Sequence, residues 1–299
     1  MIWVDQPIGT GFSQGSPSAQ SEADVAEQFL GFFRNFIDTF DLQYRRIYIT
    51  GESYAGYYIP YIADAMFAAE DTAHFDLQGT MMFDPSVSSE QIQEQIPAAA
   101  YATANNNLFA LNRTFLASIT ERAEQCGYTS YLKKYLTFPP FGPQPPSLRS
   151  TSPECNVWGG IFRAVSFVNP CFNIYQIATT CPLLWDVLGF PGSFDYVPRG
   201  AKVYFNRADV QHAINAPMEP WYECTPHPVF VKRRDRSEAP SLGVLPRVID
   251  KSKRTIIGHG ALDYILIADG TLLVPILPLS LSLFLSISLS SSHPTDSDG

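Results

Sequence analysis

The sequence is poor in charge and contains none of the paired-cysteine motifs that hold zinc. Charged residues make up 16% of the 299 positions, and the formal net charge is −9 at pH 7. Such an acidic chain lacks the basic surface that binds nucleic acid or an anionic membrane, so neither partner is expected. Because 45% of the residues are hydrophobic, the low charge is typical of a folded chain and excludes a disordered one.

The cysteines lie far apart, which argues against a metal site and favours disulfides. The five positions are Cys126, Cys155, Cys171, Cys181 and Cys224. Four can pair among themselves in three ways, and one is left over. Asn112, in the triplet Asn112-Arg113-Thr114, is a glycosylation acceptor and indicates the same oxidising compartment. No signal peptide is recognisable at the start, so we expect the N-terminus to be incomplete.

The first third of the chain alternates between strand and helix patterns. Residues 1–5 are predicted to end a buried strand, and an amphipathic helix of about 20 residues follows the N-cap signature of Ser21. Further strands are predicted at about Arg46–Thr50 and Leu77–Asp84, with a helix between them. This rhythm predicts an α/β fold with a mostly parallel sheet and helices on both faces.

The alternation of predicted strands and helices then stops and later resumes, which divides the chain into four parts. Residues 1–86 form the first part of the core, residues 87–197 an insertion that holds four cysteines, and residues 198–271 the second part of the core. Strands are expected in this second part at Ala201–Phe205 and Arg254–Ile257. Residues 272–299 are a tail biased toward leucine and serine.

The tail predicts neither a membrane span nor a lipid anchor. Its apolar stretch is interrupted by Pro275 and Pro278 and alternates with serine, and it ends on polar residues. Alternating leucine and serine is what a pyrimidine-rich intron encodes when it is translated. We therefore expect the tail to be foreign to the fold.

The segment GESYAGYY, residues 51–58, contains the main candidate for a nucleophile, Ser53. A catalytic serine on a strand-to-helix turn needs small residues two positions before and after it, and here these are Gly51 and Ala55. The competing interpretation is that Ser53 only caps the following helix. The predicted strand before it and helix after it favour the nucleophile.

This segment resembles the nucleophile motif of the serine carboxypeptidase family. WVDQPIGTGFS, NPCFNIY, CPLLWDVLG, VYFNRADVQHAINAP and GALDYILIADGT resemble segments of its fungal, secreted members in the same order. The resemblance covers roughly residues 1–272. It implies an α/β-hydrolase-type fold with a disulfide-bearing cap insertion, a secreted or vacuolar location and no cofactor.

The resemblance also implies roles for individual residues. Ser53 is the nucleophile, Tyr54 supplies one oxyanion N–H, and Asp263 is the aspartate of the catalytic triad. Glu52 helps to hold the C-terminal carboxylate of the substrate, which requires a protonated acid. One departure is Ala261, where the family often has another aspartate.

Other expected parts are not recognisable. No catalytic histidine can be identified, because His293 is the one histidine that follows Asp263, and it lies in the tail. The family's glycine-rich N-terminal segment is missing, and with it the expected partner of Cys224. From the family's clustering of bridges in the insertion we predict nested pairs, Cys126 with Cys181 and Cys155 with Cys171.

The function implied is removal of C-terminal residues from peptides or proteins through an acyl-enzyme. Because the sequence shows neither a catalytic base nor a second donor to the oxyanion, we expect no measurable turnover from this chain. Two alternatives remain: a catalytically dead fragment or binding relic, and an esterase or acyltransferase that uses the same triad. The sequence sets neither the oligomeric state nor the preferred C-terminal residue.

Overall fold

The computed structural model describes residues 1–137, 148 and 152–274, and three parallel strands form a sheet in it. Strands β1 (Ile47–Glu52), β2 (Leu77–Phe83) and β3 (Arg254–Gly258) stand in the order β1-β2-β3. Gly51 lies opposite Met82, and Met82 lies opposite Ile257. The strands end at the same edge because they are parallel, so the segments that follow them meet there.

Three helices pack together on one face of the sheet: α1 (Glu22–Thr39), α2 (Ala55–Ala68) and α9 (Val244–Lys251). The start of α1 was predicted, and the Asp24 carboxylate accepts the backbone N–H of Ser21 at 3.2 Å. Ile62 and Met66 of α2 are buried in one cluster with Val248 of α9. The opposite face carries Tyr48 and Phe83, which are 64% and 42% exposed.

The middle of the chain is helical, and no strand lies in its described part. A π-helical turn (Gln91–Gln95) leads into α3 (Ile96–Ala104), and the helices that follow are α4 (Asn106–Phe109), α5 (Arg113–Gln125), α6 (Tyr128–Tyr135) and α7 (Val157–Val168). Tyr264 is fully buried among them, stacks on Trp158 at 5.4 Å and accepts the indole N–H with its carbonyl oxygen at 2.8 Å. The helical region is therefore attached to the loop that follows β3.

The predicted disulfide pairing is wrong, although the same four cysteines are bonded. Cys126 pairs with Cys155, and Cys171 pairs with Cys181. Cys155 and Cys171 flank the 12-residue helix α7, which is about 18 Å long. Bonded cysteines need Cα atoms about 4.4–6.8 Å apart, so residues at opposite ends of this helix cannot meet. Cys224 is exposed and unpaired in the described structure.

Two of the predicted strands do not form. Residues 1–6 have no regular structure, and Asp5 instead closes a local loop by accepting the backbone N–H of Phe12 at 2.9 Å. Around Ala201–Phe205 there is a 3-10 turn at Tyr204–Asn206, and the backbone N–H of Tyr204 donates to the carbonyl of Val187. The hydrogen bond of Tyr204 occupies a backbone group that a sheet would have used.

The remaining helices are α8 (Ala208–Ala213) and α10 (Ala268–Leu272). Within the described ranges, no helix has the length and apolar character required to cross a membrane. The tail after Val274 and its His293 lie outside the described residues.

Candidate active site

Ser53 lies on a strained turn between β1 and α2, as the spacing predicted. Its φ is +56°, in the left-handed region that residues with a side chain rarely adopt. A Cβ added to Gly51 would lie 2.6 Å from the Cβ of Ala55, so both positions need small residues. The turn therefore holds the serine between the end of a strand and the start of a helix, the geometry of a nucleophile elbow.

The loop after β2 braces this turn. The N–H of Ser53 donates to the carbonyl of Phe83 at 3.0 Å, and the carbonyl of Ser53 accepts the N–H of Ser86 at 2.9 Å. A Cβ on Gly56 would collide with the carbonyl oxygen of Ser86, so glycine permits the close approach. The N–H of Tyr54 makes no hydrogen bond within the described structure, which leaves it available to an oxyanion.

The same loop is held from its other side by the buried side chain of Gln93. Its Oε1 accepts the backbone N–H groups of Val87 and Ser88, both at 2.8 Å. Its Nε2 donates to the carbonyl of Pro85 at 2.8 Å and to Thr271 at 3.1 Å. One glutamine thus fixes the backbone of residues 85–88 against α10.

Asp263 lies on the loop after β3, at the same edge of the sheet as Ser53, and is only 5% exposed. Its Oδ1 accepts the N–H groups of Ile265 at 2.8 Å and Leu266 at 3.4 Å. Burial, together with the nearby Asp84, raises the pKa of Asp263 to about 8. The carboxyl therefore lacks the positive neighbour that would keep it ionised at neutral pH.

His259, at the end of β3, contacts the same carboxyl without a hydrogen bond to it. Its Nε2 lies 3.9 Å from Asp263 and 3.6 Å from Asp84, and it donates to the carbonyl of Leu266 at 2.5 Å. Burial lowers the pKa of His259, so the ring is neutral. Ligand atoms of Asp84, His259 and Asp263 lie within 4.8 Å of one another. The Nε2 proton is directed at Leu266, however, so this nitrogen has no lone pair for a metal ion.

A cavity of about 470 Å³ opens beside Ser53 and extends to the loop that follows Asp263. Ile265 and Leu266, which bind Asp263, line it together with Ser53 and Tyr54. Its other lining residues are Tyr57, Ser86, Ser88, Ser89, Glu90, Glu94, Asp235 and Ser237. The sequence analysis did not find the three acidic residues, because they come from segments far apart in the chain and belong to no local motif.

Acidic groups also lie under the wall of this cavity. The hydroxyl of Tyr54 donates to Asp235 at 2.9 Å, and the N–H of Glu22 donates to the hydroxyl of Ser237 at 2.6 Å. Glu22 is completely buried, and burial followed by repulsion from Asp235 raises its pKa to about 8. Burial and the same acids raise the pKa of Tyr54, which keeps its phenol neutral.

The remaining predicted residues lie apart from the cavity lining. Glu52 is exposed at the end of β1, where its charge helps to raise the pKa of Asp263. Asn112 is exposed and caps α5 by accepting the N–H of Phe115 at 2.9 Å. Among the described histidines, none makes a hydrogen bond to Ser53 or Asp263.

Comparison with known proteins places this site in a family. Residues 1–274 match the family model Peptidase S10, serine carboxypeptidase. A probable serine carboxypeptidase of Arthroderma benhamiae is 56% identical over 283 residues, 91% of this chain and 53% of that protein. Serine-type carboxypeptidase F of Aspergillus niger is 45% identical over 282 residues, with the same two shares. The chain spans about half the length of these curated relatives.

A solved structure has the same fold. Kex1(Δ)p, a prohormone-processing carboxypeptidase from Saccharomyces cerevisiae, superposes with a TM-score of 0.64 at 19% identity, over 90% of this chain and 58% of that one. This confirms the predicted α/β-hydrolase-type fold. From its sequence, its strand-to-helix turn at Ser53 and these matches, the chain belongs to the serine carboxypeptidase family.

Proposed function

We propose that the site is that of a serine-type carboxypeptidase, which removes the C-terminal residue of a peptide through an acyl-enzyme. Ser53 Oγ forms an ester bond with the carbonyl carbon of the scissile peptide bond, and the C-terminal amino acid leaves with a proton on its nitrogen. Water then hydrolyses the ester and restores the serine hydroxyl. The observation that carries the proposal is Ser53 on its strained turn beside the cavity, in a chain of this family.

The other roles follow from the positions of the neighbouring groups. The unbonded N–H of Tyr54 is suited to stabilise the oxyanion, and Glu52, at the end of the preceding strand, is suited to hold the substrate carboxylate. Asp263 would orient an imidazole and stabilise its positive charge. An imidazolium beside Asp263 would also return the raised pKa of this carboxyl toward its ordinary range.

A second candidate is a catalytically silent member of the family. The observation that favours it is the position of His259, whose Nε2 proton is bound to the carbonyl of Leu266 and not to Asp263. Without a base, a serine hydrolase typically loses a factor on the order of a million in kcat. His293 lies outside the described residues, so a variant of it belongs in the test.

The decisive experiment measures release of C-terminal amino acids from N-blocked dipeptides by the purified 299-residue chain between pH 4 and 8. Carboxypeptidase function predicts release that Ser53→Ala abolishes and that the exposed control Ser16→Ala leaves unchanged. A loss with His293→Ala would identify the base. Absence of any Ser53-dependent release would overturn the proposal for this chain and favour the silent member, in agreement with the absence of turnover expected from the sequence, where neither a base nor a second oxyanion donor is recognisable.

The esterase or acyltransferase alternative uses the same nucleophile, so Glu52 separates it from the peptidase. Glu52→Gln should weaken cleavage of substrates with a free C-terminal carboxylate, because the amide cannot share a proton with it as a protonated acid does. Cleavage of the matching C-terminal methyl esters should change little. Equal effects on both substrates would favour the esterase.

We also propose that the protein is secreted or vacuolar and carries a glycan at Asn112. The two disulfides are typical of proteins that fold in an oxidising compartment. Asn112 is exposed, and only its Oδ1 is used to cap α5, which leaves the amide nitrogen available for a sugar.

A further inference from the structure

We propose that residues 231–236, the basic loop, are a processing site at which an endoprotease specific for paired basic residues cuts the chain in two. Water adds across one peptide bond, which leaves a carboxylate on Arg233 or Arg234 and a new amino group on the residue that follows. The inference goes beyond the proposed carboxypeptidase function and does not depend on it, because Ser53 takes no part in this cut.

The basic loop carries consecutive basic residues in a chain that is acidic as a whole. Its sequence is VKRRDR, in which Lys232, Arg233 and Arg234 form two overlapping pairs. All three residues are exposed, and none of them forms an ion pair in the described structure. Their charged groups are therefore available to the acidic pockets with which such a protease recognises its substrate.

The basic loop is attached to the rest of the protein at both of its ends. The backbone N–H of Val231 donates to the carbonyl of Ala19 at 2.8 Å. The backbone N–H of Arg236 donates to the carbonyl of Gln20 at 3.1 Å. Exposed loops of this kind are preferred sites of limited proteolysis. A cut between the two attachments would leave both new ends held in place.

The backbone of the basic loop favours a change toward the shape that a protease binds. Lys232 and Arg233 have φ values of +64° and +57°, in the left-handed region that is strained for residues with a side chain. Arg234, with φ −147° and ψ 125°, is already extended. An extended peptide can pair with the edge of a partner's sheet, so extension of the other two residues would relieve strain and aid binding.

The other basic pairs of the sequence provide an internal comparison. They are Arg45-Arg46, Lys133-Lys134 and Lys253-Arg254. The first leads directly into β1, the second lies inside α6, and the third leads into β3. A protease could bind these segments only after the sheet or the helix had opened, whereas the basic loop opens locally. The folded protein should therefore be cut at the basic loop alone.

The cut would give a protein of two chains that no disulfide joins. Both disulfides, Cys126–Cys155 and Cys171–Cys181, lie before the basic loop. The part after the loop contributes β3, which pairs with β2, and α9, which packs on α2. Strand pairing and buried contacts therefore hold the two chains together after the peptide bond is broken.

The test incubates the purified 299-residue chain with an endoprotease specific for paired basic residues. Denaturing gels, with or without reductant, should show two fragments, and the smaller one should begin at Arg234 or Asp235. Size-exclusion chromatography without denaturant should show one species. Arg233→Gln interrupts both overlapping pairs and should slow the cut at least about 100-fold, because a pocket built for a charged group rejects a neutral one. The matched control Arg45→Gln should be cut at the rate of the wild type.

The same cut should occur in protein secreted from a fungal host, and Arg233→Gln should be secreted as a single chain. A first cut at any of the other basic pairs would overturn the inference. So would a folded protein that resists the protease while the reduced and alkylated chain is cut, or a wild type secreted uncut. Separation of the fragments on size-exclusion chromatography would refute the two-chain form. Ser53→Ala should be cut like the wild type, so these results are independent of carboxypeptidase activity.

Discussion

Replacing Glu22 by glutamine should stabilise the protein at neutral pH and change little in acid. Glu22 is completely buried, and burial and Asp235 raise its pKa from 4.5 to about 8. The folded protein therefore holds a proton on this carboxyl over a pH range in which the unfolded chain has released it. An acid with a raised pKa opposes folding progressively as the pH increases from 4.5 to about 8.

The magnitude follows from the two pKa values. Each pH unit within this range costs about 1.4 kcal/mol, so at pH 7 Glu22 reduces the free energy of unfolding by about 3 kcal/mol. Below pH 4.5 the carboxyl is protonated in both states and contributes no such loss. Glutamine has nearly the same shape and is neutral throughout. The variant should therefore match the wild type at pH 4 and exceed it by about 3 kcal/mol at pH 7.

Urea denaturation at pH 4 and pH 7, followed by tryptophan fluorescence, measures the difference directly. Glu124→Gln serves as the matched control, because Glu124 is exposed on α5. The decisive quantity is the change with pH in the stability difference between variant and wild type. A difference that is the same at both pH values would refute a raised pKa for Glu22, even if the variant were more stable.

Ser53→Gly should be more stable to denaturant than Ser53→Ala by about 1 kcal/mol, because φ at this position is +56°; equal stabilities would contradict a strained turn. His74 bridges Asp38 and Asp71 at 2.9 and 2.8 Å, and the hydrogen bond that its ring donates to Asp38 is the main reason that the pKa of His74 is raised. His74→Gln should therefore lower the melting temperature at pH 5.5 and have little effect at pH 9. The charged ring stabilises the fold below pH 6.5, and this stabilisation is lost as the pH rises through the raised pKa. A decrease in melting temperature that is the same at both pH values would contradict the ion pairs. Thr114→Ala should abolish a glycosidase-sensitive gel shift of protein secreted from a eukaryotic host, whereas Thr114→Ser should retain it; a shift that persists in the alanine variant would exclude this glycan.

The sequence predicted the parts of the site that depend on neighbouring residues. The N-cap signature at Ser21 predicted the first residue of α1 correctly, and the small residues around Ser53 predicted the strained turn. The predicted strand at Leu77–Asp84 agrees with β2 within one residue. In these segments the local hydrogen bonds and side-chain sizes favour the same structure as the fold does.

The predictions were wrong or incomplete for features that depend on contacts between segments far apart in the chain. The nested disulfides failed because α7 separates the cysteines at its ends, and its length was not recognised in the apolar run VWGGIFRAVSFV. The expected strand at Ala201–Phe205 has suitable residues, but the backbone of Tyr204 bonds to Val187 instead. The acidic cavity wall combines residues about 150 positions apart along the chain, such as Glu90 and Asp235, and no periodicity in the sequence connects them.

The brace at Gln93 has a consequence for how such an enzyme can evolve. Gln93 fixes the backbone of residues 85–88, and this backbone in turn holds the turn of Ser53. Glu90 and Glu94 extend into the cavity from the positions immediately beyond, and their carboxyl groups make no hydrogen bond in the described structure that supports the turn. The side chains at these two positions can therefore vary while the backbone that holds Ser53 keeps its hydrogen bonds. Under the proposed function, residues that face the substrate would thus be free to change separately from the residues that hold the nucleophile.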